Sequence, residues 1–131
     1  MNMPLPIWVG MVIKGYLLTI VLEAPILVWG LGARYKLKEK ILAVPLLTAC
    51  SYPFVTILFP IIWNPYEIYP CYITISETFA PLFECLIFAL LFQKAKVISL
   101  NQRCSDFLVI ILANLFSFVC GEFLKASGFK F

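Results

Sequence analysis

Four of the seven acidic residues in this 131-residue chain, Glu23, Glu77, Glu84 and Glu122, stand inside long apolar runs. A charged side chain at the centre of a membrane span costs on the order of 2.5–3.5 kcal/mol on insertion scales. Carboxyl groups placed there therefore face a protein interior and either find a partner or hold a proton. Glu77 and Glu84 are seven residues apart, two turns along nearly the same helical face. Measured from the span ends, Glu77, Glu84 and Glu23 form a ladder across the bilayer, with Glu122 near one interface beside Lys125. The chemistry such a set offers is proton exchange or attraction of a cation. Glu84 is expected to face the interior and, without a basic partner, to carry a proton at neutral pH.

Other polar residues complete the pattern. Thr48 and Ser51, and Asn114, Ser117 and Gly121, recur at one-turn spacing in two further apolar runs. Such stripes suit close helix packing and hydrogen bonds between helices, and they supply candidate partners for Glu23 and Glu84. Pro25, Pro53 and Pro81 each remove a backbone N–H, leaving the carbonyls of Val21, Ala49 and Glu77 without their helical donors. Freed carbonyls near a carboxylate can hold a cation or a proton-bearing water. In particular, Pro53 is expected to bend its helix and open the Ala49 carbonyl toward the interior, beside Thr48 and Ser51.

Several chemistries are excluded. The chain has no histidine, and its five cysteines form no CxxC pair. Histidine-based general-base catalysis, zinc sites of the usual spacing and thioredoxin-like redox chemistry therefore lack their residues. An enzyme would have to rely on the carboxyls of Glu77 and Glu84 alone, so no catalytic residue is assigned and no cofactor or metal is implied. The net charge of +3 is small and scattered, which sets nucleic acid aside.

The elements that must position these residues follow from composition. Hydrophobic residues make up 63% and charged residues only 13%, too little polar surface to coat a soluble sphere. The sequence predicts an all-α polytopic membrane protein, one domain over 1–131, with four spans over 8–33, 41–63, 71–92 and 107–125 in an antiparallel bundle. Trp8 and Trp29 bracket the first span. Pro65 and Pro70 turn the chain between the second and third, and Ser105 and Asp106 serve as N-caps of the fourth. Lys14, alone among bases well inside a span, is near enough to an interface to snorkel or to pair with Glu77 or Glu122 across helices.

Four basic residues fall in the first connection and three in the third, whereas the second carries only Glu67. The positive-inside rule then puts both termini on the non-cytoplasmic side of a cell or organellar inner membrane. Trp8, Trp63, Tyr66, Tyr69 and Tyr72 form the outer aromatic belt, and Trp29 and Tyr35 belong to the inner one. The two halves also match as a parallel repeat of helix pairs: Glu23 aligns with Glu84, and Thr48-x-x-Ser51 with Asn114-x-x-Ser117.

Two functions fit. One is an acid-lined intramembrane site for proton-coupled or cation transport; the other is a non-catalytic accessory or assembly subunit of a larger membrane complex. Four helices enclose a thin interior, so both imply association in the lipid bilayer, as a homo-oligomer or with other membrane subunits.

Overall fold

In a computed structural model the chain is described over residues 4–64 and 67–129. Four long helices fill it: α1 (Leu5–Gly30), α2 (Leu37–Ile62), α3 (Tyr69–Gln93) and α4 (Leu100–Ala126), each long and apolar enough to cross a membrane. The molecule is a multi-pass membrane protein. At ~1.5 Å per residue, helices of 25–27 residues reach about 38–40 Å, so they outrun a ~30 Å hydrocarbon core and extend among the headgroups. Round the bundle α1 packs on α2 and α4, and α3 packs on α2 and α4.

Every span begins earlier than the apolar runs suggest, because cap chemistry rather than hydropathy sets helix starts. Pro6 fits the first turn of α1, where its missing N–H costs nothing. At the start of α2 the Lys36 N–H donates to Glu39 Oε2 (2.7 Å). Ser99 and Gln102 form a reciprocal capping box that opens α4 seven residues ahead of the expected 107. Asp106 is consequently inside α4 and buried, not a cap. Gly128, at φ +83°, ends α4: its N–H bonds to Lys125 O and that of Phe129 to Leu124 O, the paired bonds of a left-handed C-cap.

The inward faces keep helical spacing. Val44, Leu47, Thr48 and Ser51 are buried on α2, Pro81, Glu84, Cys85 and Phe88 on α3, and Asp106, Ile110, Ala113 and Asn114 on α4. The prolines behave differently from expectation. Pro25, Pro53 and Ala49 lie on exposed faces, so the Ala49 carbonyl does not open toward the interior; only Pro81 is buried there. After Pro53 the chain takes one π-helical turn, Phe54–Leu58, whose longer hydrogen bonds accommodate the missing donor without directing it inward. A second π-helical turn, Ala89–Gln93, buries Phe92 and Gln93 side by side. Lys14 is exposed, and no ion pair reaches it among the described residues. Trp29 is exposed as an interfacial residue should be, but Tyr35 is buried within the bundle end. Pro65 and Tyr66 lie outside the described residues.

Candidate functional site: a crosswise carboxyl clamp beneath a cavity

Along its axis the bundle is layered. At the end bearing the two basic connections, the loop end, the Arg34 guanidinium pairs with the buried Asp106 carboxylate. Asp106 also accepts hydrogen bonds from the Tyr35 hydroxyl (2.6 Å) and the Gln93 amide (3.0 Å). Lys96 pairs with Glu39 (3.1 Å), and both Arg34 and Lys96 lie over the Tyr35 ring, at 5.2 and 5.4 Å from its centre. The Arg34 partnership holds the guanidinium charged, its pKa raised first by the hydrogen bond to Asp106. Next comes a dry plug that includes Leu27, Leu31, Leu47, Phe88, Ile110 and Ala113.

Beyond the plug lies a polar belt. Glu23 and Glu84 are each 1% exposed. Glu23 is held between α2 and α4: Thr48 Oγ1 lies 3.2 Å from its Oε2 and Ser117 Oγ 3.0 Å from its Oε1. Glu84 sits between the same two helices, with Ser51 Oγ 2.5 Å from Oε1 and Asn114 Nδ2 2.7 Å from Oε2. Exchanging the two helix pairs maps one set of bonds onto the other. Each glutamate bonds the first polar residue of its own pair's second helix, Thr48 or Asn114, and the second polar residue of the other pair's, Ser117 or Ser51. The motif alignment of the two halves thus coincides with a two-fold exchange in the hydrogen bonding.

The crossing also fixes depth. Thr48 and Asn114 lie toward the loop end, Ser51 and Ser117 toward the opposite end, and each carboxyl spans one of each. Glu23 and Glu84 are therefore level, not successive rungs. Glu77, two turns from Glu84, does not join them; it is half-buried in the wall of a separate cavity. Six of the seven predicted polar residues are brought together, and Glu77 is the exception.

The cavity, of about 440 Å³, occupies the end of the bundle that carries both termini. Trp8, Tyr52, Tyr69 and Tyr72 supply aromatic surface, and Glu122 and Lys125 stand at its rim. Ser117 is part of the cavity lining and also bonds Glu23, so the cavity reaches the belt. The Tyr52 hydroxyl comes so close to Gly15 that a Cβ there would meet it at 2.2 Å.

Proton arithmetic defines what the belt can do. Thr48 has one hydroxyl proton and two acceptors in reach, Glu23 Oε2 and Val44 O (2.9 Å); Ser117 likewise has Glu23 Oε1 and Asn114 O (2.9 Å). Both can donate to a Glu23 carboxylate. Alternatively, one turns its proton to the backbone and accepts from a Glu23 carboxylic acid. Either state is satisfied by rotating hydroxyls, with no heavy atom moved. Glu84 Oε2 is fixed as an acceptor, because the Asn114 amide has a hydrogen for it and another for Ile110 O (3.1 Å), whereas at Oε1 Ser51 has a second acceptor in Thr48 O (3.5 Å), as the hydroxyls bonding Glu23 do.

Sequence reasoning missed the loop-end cluster of Arg34, Tyr35, Glu39, Gln93, Lys96 and Asp106. Its one available signal was the Ser99-x-x-Gln102 capping box, which places Asp106 inside the helix. Comparison of the chain with protein-family models, curated proteins and solved structures finds no match.

Proposed function

We propose that this protein moves protons, or a solute coupled to them, across the membrane, with Glu23 as the exchanging carboxyl and Glu84 as its fixed counterpart. The observation that carries the reading is the hydroxyl wiring of Glu23, which serves the acid and the carboxylate equally and touches the cavity through Ser117. The dry plug and the ion-paired cluster close the opposite side of the belt, as a coupled carrier requires while its site communicates with one face. The bias of basic residues supports a cytoplasmic loop end, with both termini on the other side.

The test is proton flux in liposomes reporting internal pH by an enclosed dye. Glu23→Gln is expected to abolish flux while leaving assembly intact, and Ser117→Ala to slow it severalfold. Flux unchanged by both Glu23→Gln and Glu84→Gln would refute the reading and leave an accessory subunit in its place. A cysteine at Glu39 or Gln102 should resist impermeant reagents added from outside; labelling there reverses the orientation.

A further inference from the structure

The geometry points to the cavity at the terminal end as a binding site for a small organic cation with an apolar body. Two observations, independent of the carboxyl belt, carry this. Ser76, 1% exposed, is part of the cavity lining, and its hydroxyl makes no hydrogen bond of good geometry, interacting only with the neighbouring Tyr72 side chain. Tyr72, one turn before it, spends its own hydroxyl proton on Val55 O (2.8 Å). A buried hydroxyl left without a good hydrogen bond costs on the order of 1–3 kcal/mol, so the site calls for a polar group that enters with a ligand.

The second observation is charge. Glu77, next to Ser76 in sequence, also lines the cavity, and no hydrogen bond or ion pair reaches its carboxyl group among the described residues. The ammonium at the rim, Lys125, is already engaged with Glu122 (2.8 Å). With both carboxyls ionised against one ammonium, the lining carries one negative charge in excess. The ligand that balances it is therefore a cation, and an anion is rejected.

The walls select which cation. A bare metal ion needs several oxygen ligands converging on it, and no group of three or more acidic, cysteine or histidine side chains gathers among the described residues. Trp8, Tyr52, Tyr69 and Tyr72 instead offer aromatic faces, and six aliphatic side chains add apolar surface. Aromatic faces attract ammonium groups and bury apolar bodies, and a volume of about 440 Å³ accepts a drug-sized molecule. An ammonium donating to Ser76 and Glu77, its apolar part against the aromatic residues, answers each unsatisfied feature. As a binding site the cavity stands alone; as the place where a coupled carrier takes its substrate it rests on the proton-exchange reading.

The experiment is equilibrium dialysis of labelled 3-phenylpropylammonium against the purified full-length chain in detergent, with neutral 4-phenylbutan-1-ol as the control for partitioning into micelles. Saturable binding of the ammonium, with the alcohol at least tenfold weaker, is expected. Glu77→Gln should weaken the ammonium at least tenfold and Ser76→Ala severalfold. Gly121→Leu supplies a steric test: a Cβ at Gly121 meets nothing within 4 Å, so the larger side chain fills cavity space without straining the bundle and should abolish binding. Equal binding of alcohol and ammonium, or undiminished binding to both Glu77→Gln and Gly121→Leu, overturns the proposal. Proton flux is read separately: flux without ammonium binding sinks the cation site alone, whereas binding without flux sinks the proton reading and keeps the site.

Discussion

Asp106→Ala tests whether the loop-end cluster holds the bundle together. The residue is 1% exposed and accepts from Arg34, Tyr35 and Gln93. Hydrogen bonds to a charged group contribute about 1.5–3 kcal/mol each, and removing one partner of a buried ion pair costs about 3–5 kcal/mol. Adding three such bonds overshoots, because the Arg34 side chain is 23% exposed and can turn toward headgroup water. The expected loss is therefore about 3–4 kcal/mol, a factor of more than 100 in the folded-to-unfolded ratio. Asp106→Asn keeps one acceptor oxygen, so its loss should be about half as large. Adding Arg34→Met to Asp106→Ala should recover part of the loss, since no cation is then left without a partner. The assay is unfolding in mixed micelles with increasing SDS, followed by tryptophan fluorescence. An Asp106→Ala protein within 1 kcal/mol of the parent, with no coupling to Arg34→Met, would refute the assignment of Asp106 as the hub.

Two further outcomes are expected. Burial, with the hydrogen bond to Asp106 next in importance, pushes the Tyr35 phenol up to about 12 from 10.0. Its stabilising contribution is intact below pH 10 and is lost as pH rises through 12, so Tyr35→Phe should flatten that alkaline limb; coincident limbs would contradict it. Gly30→Ala should destabilise by about 1–3 kcal/mol, because the new Cβ would stand 2.6 Å from Val109 Cγ1, whereas Gly121→Ala, with open space around it, should be neutral or stabilising; equal effects in the same SDS titration would refute the packing argument.

What the sequence made legible was governed by energy scale. Burying Glu23 and Glu84 in lipid is so costly that only an interior position with partners is tolerable, and side chains able to serve them recur at helical spacing. The crosswise pairing could not be read, because spacing within a helix does not say which neighbour it will meet. Asp106 was misplaced for a related reason: at the border of an apolar run, cap and buried hub have the same residue type, and only tertiary contact with Arg34, Tyr35 and Gln93 separates them. Ser76 gave no signal, since a serine one turn from a tyrosine in a membrane helix is ordinary. Glu77 was grouped with Glu84 by periodicity, but two turns of rise suffice to move it from the belt into the cavity wall.

The loop-end ion pairs, like the carboxyl clamp, run between the two helix pairs. Arg34, in the connection of the first helix pair, bonds Asp106 on the second; Lys96, in the connection between the third and fourth helices, bonds Glu39 on the second helix. Each pair thus ties one half of the molecule to the other, and Tyr35 lies beneath both cations. A separation of the halves at that end must break both pairs and unseat Tyr35 together, so the closure acts as one unit. The carboxyl clamp crosses the same divide, because Ser117 reaches Glu23 from the other half and Ser51 reaches Glu84. Movement of the halves would therefore strip each carboxyl of one hydroxyl, Ser117 from Glu23 and Ser51 from Glu84. On the proton-exchange proposal, protonation of the belt and closure of the loop end would be coupled through the relative position of two helix pairs, with no residue needed to carry the signal along the bundle between them.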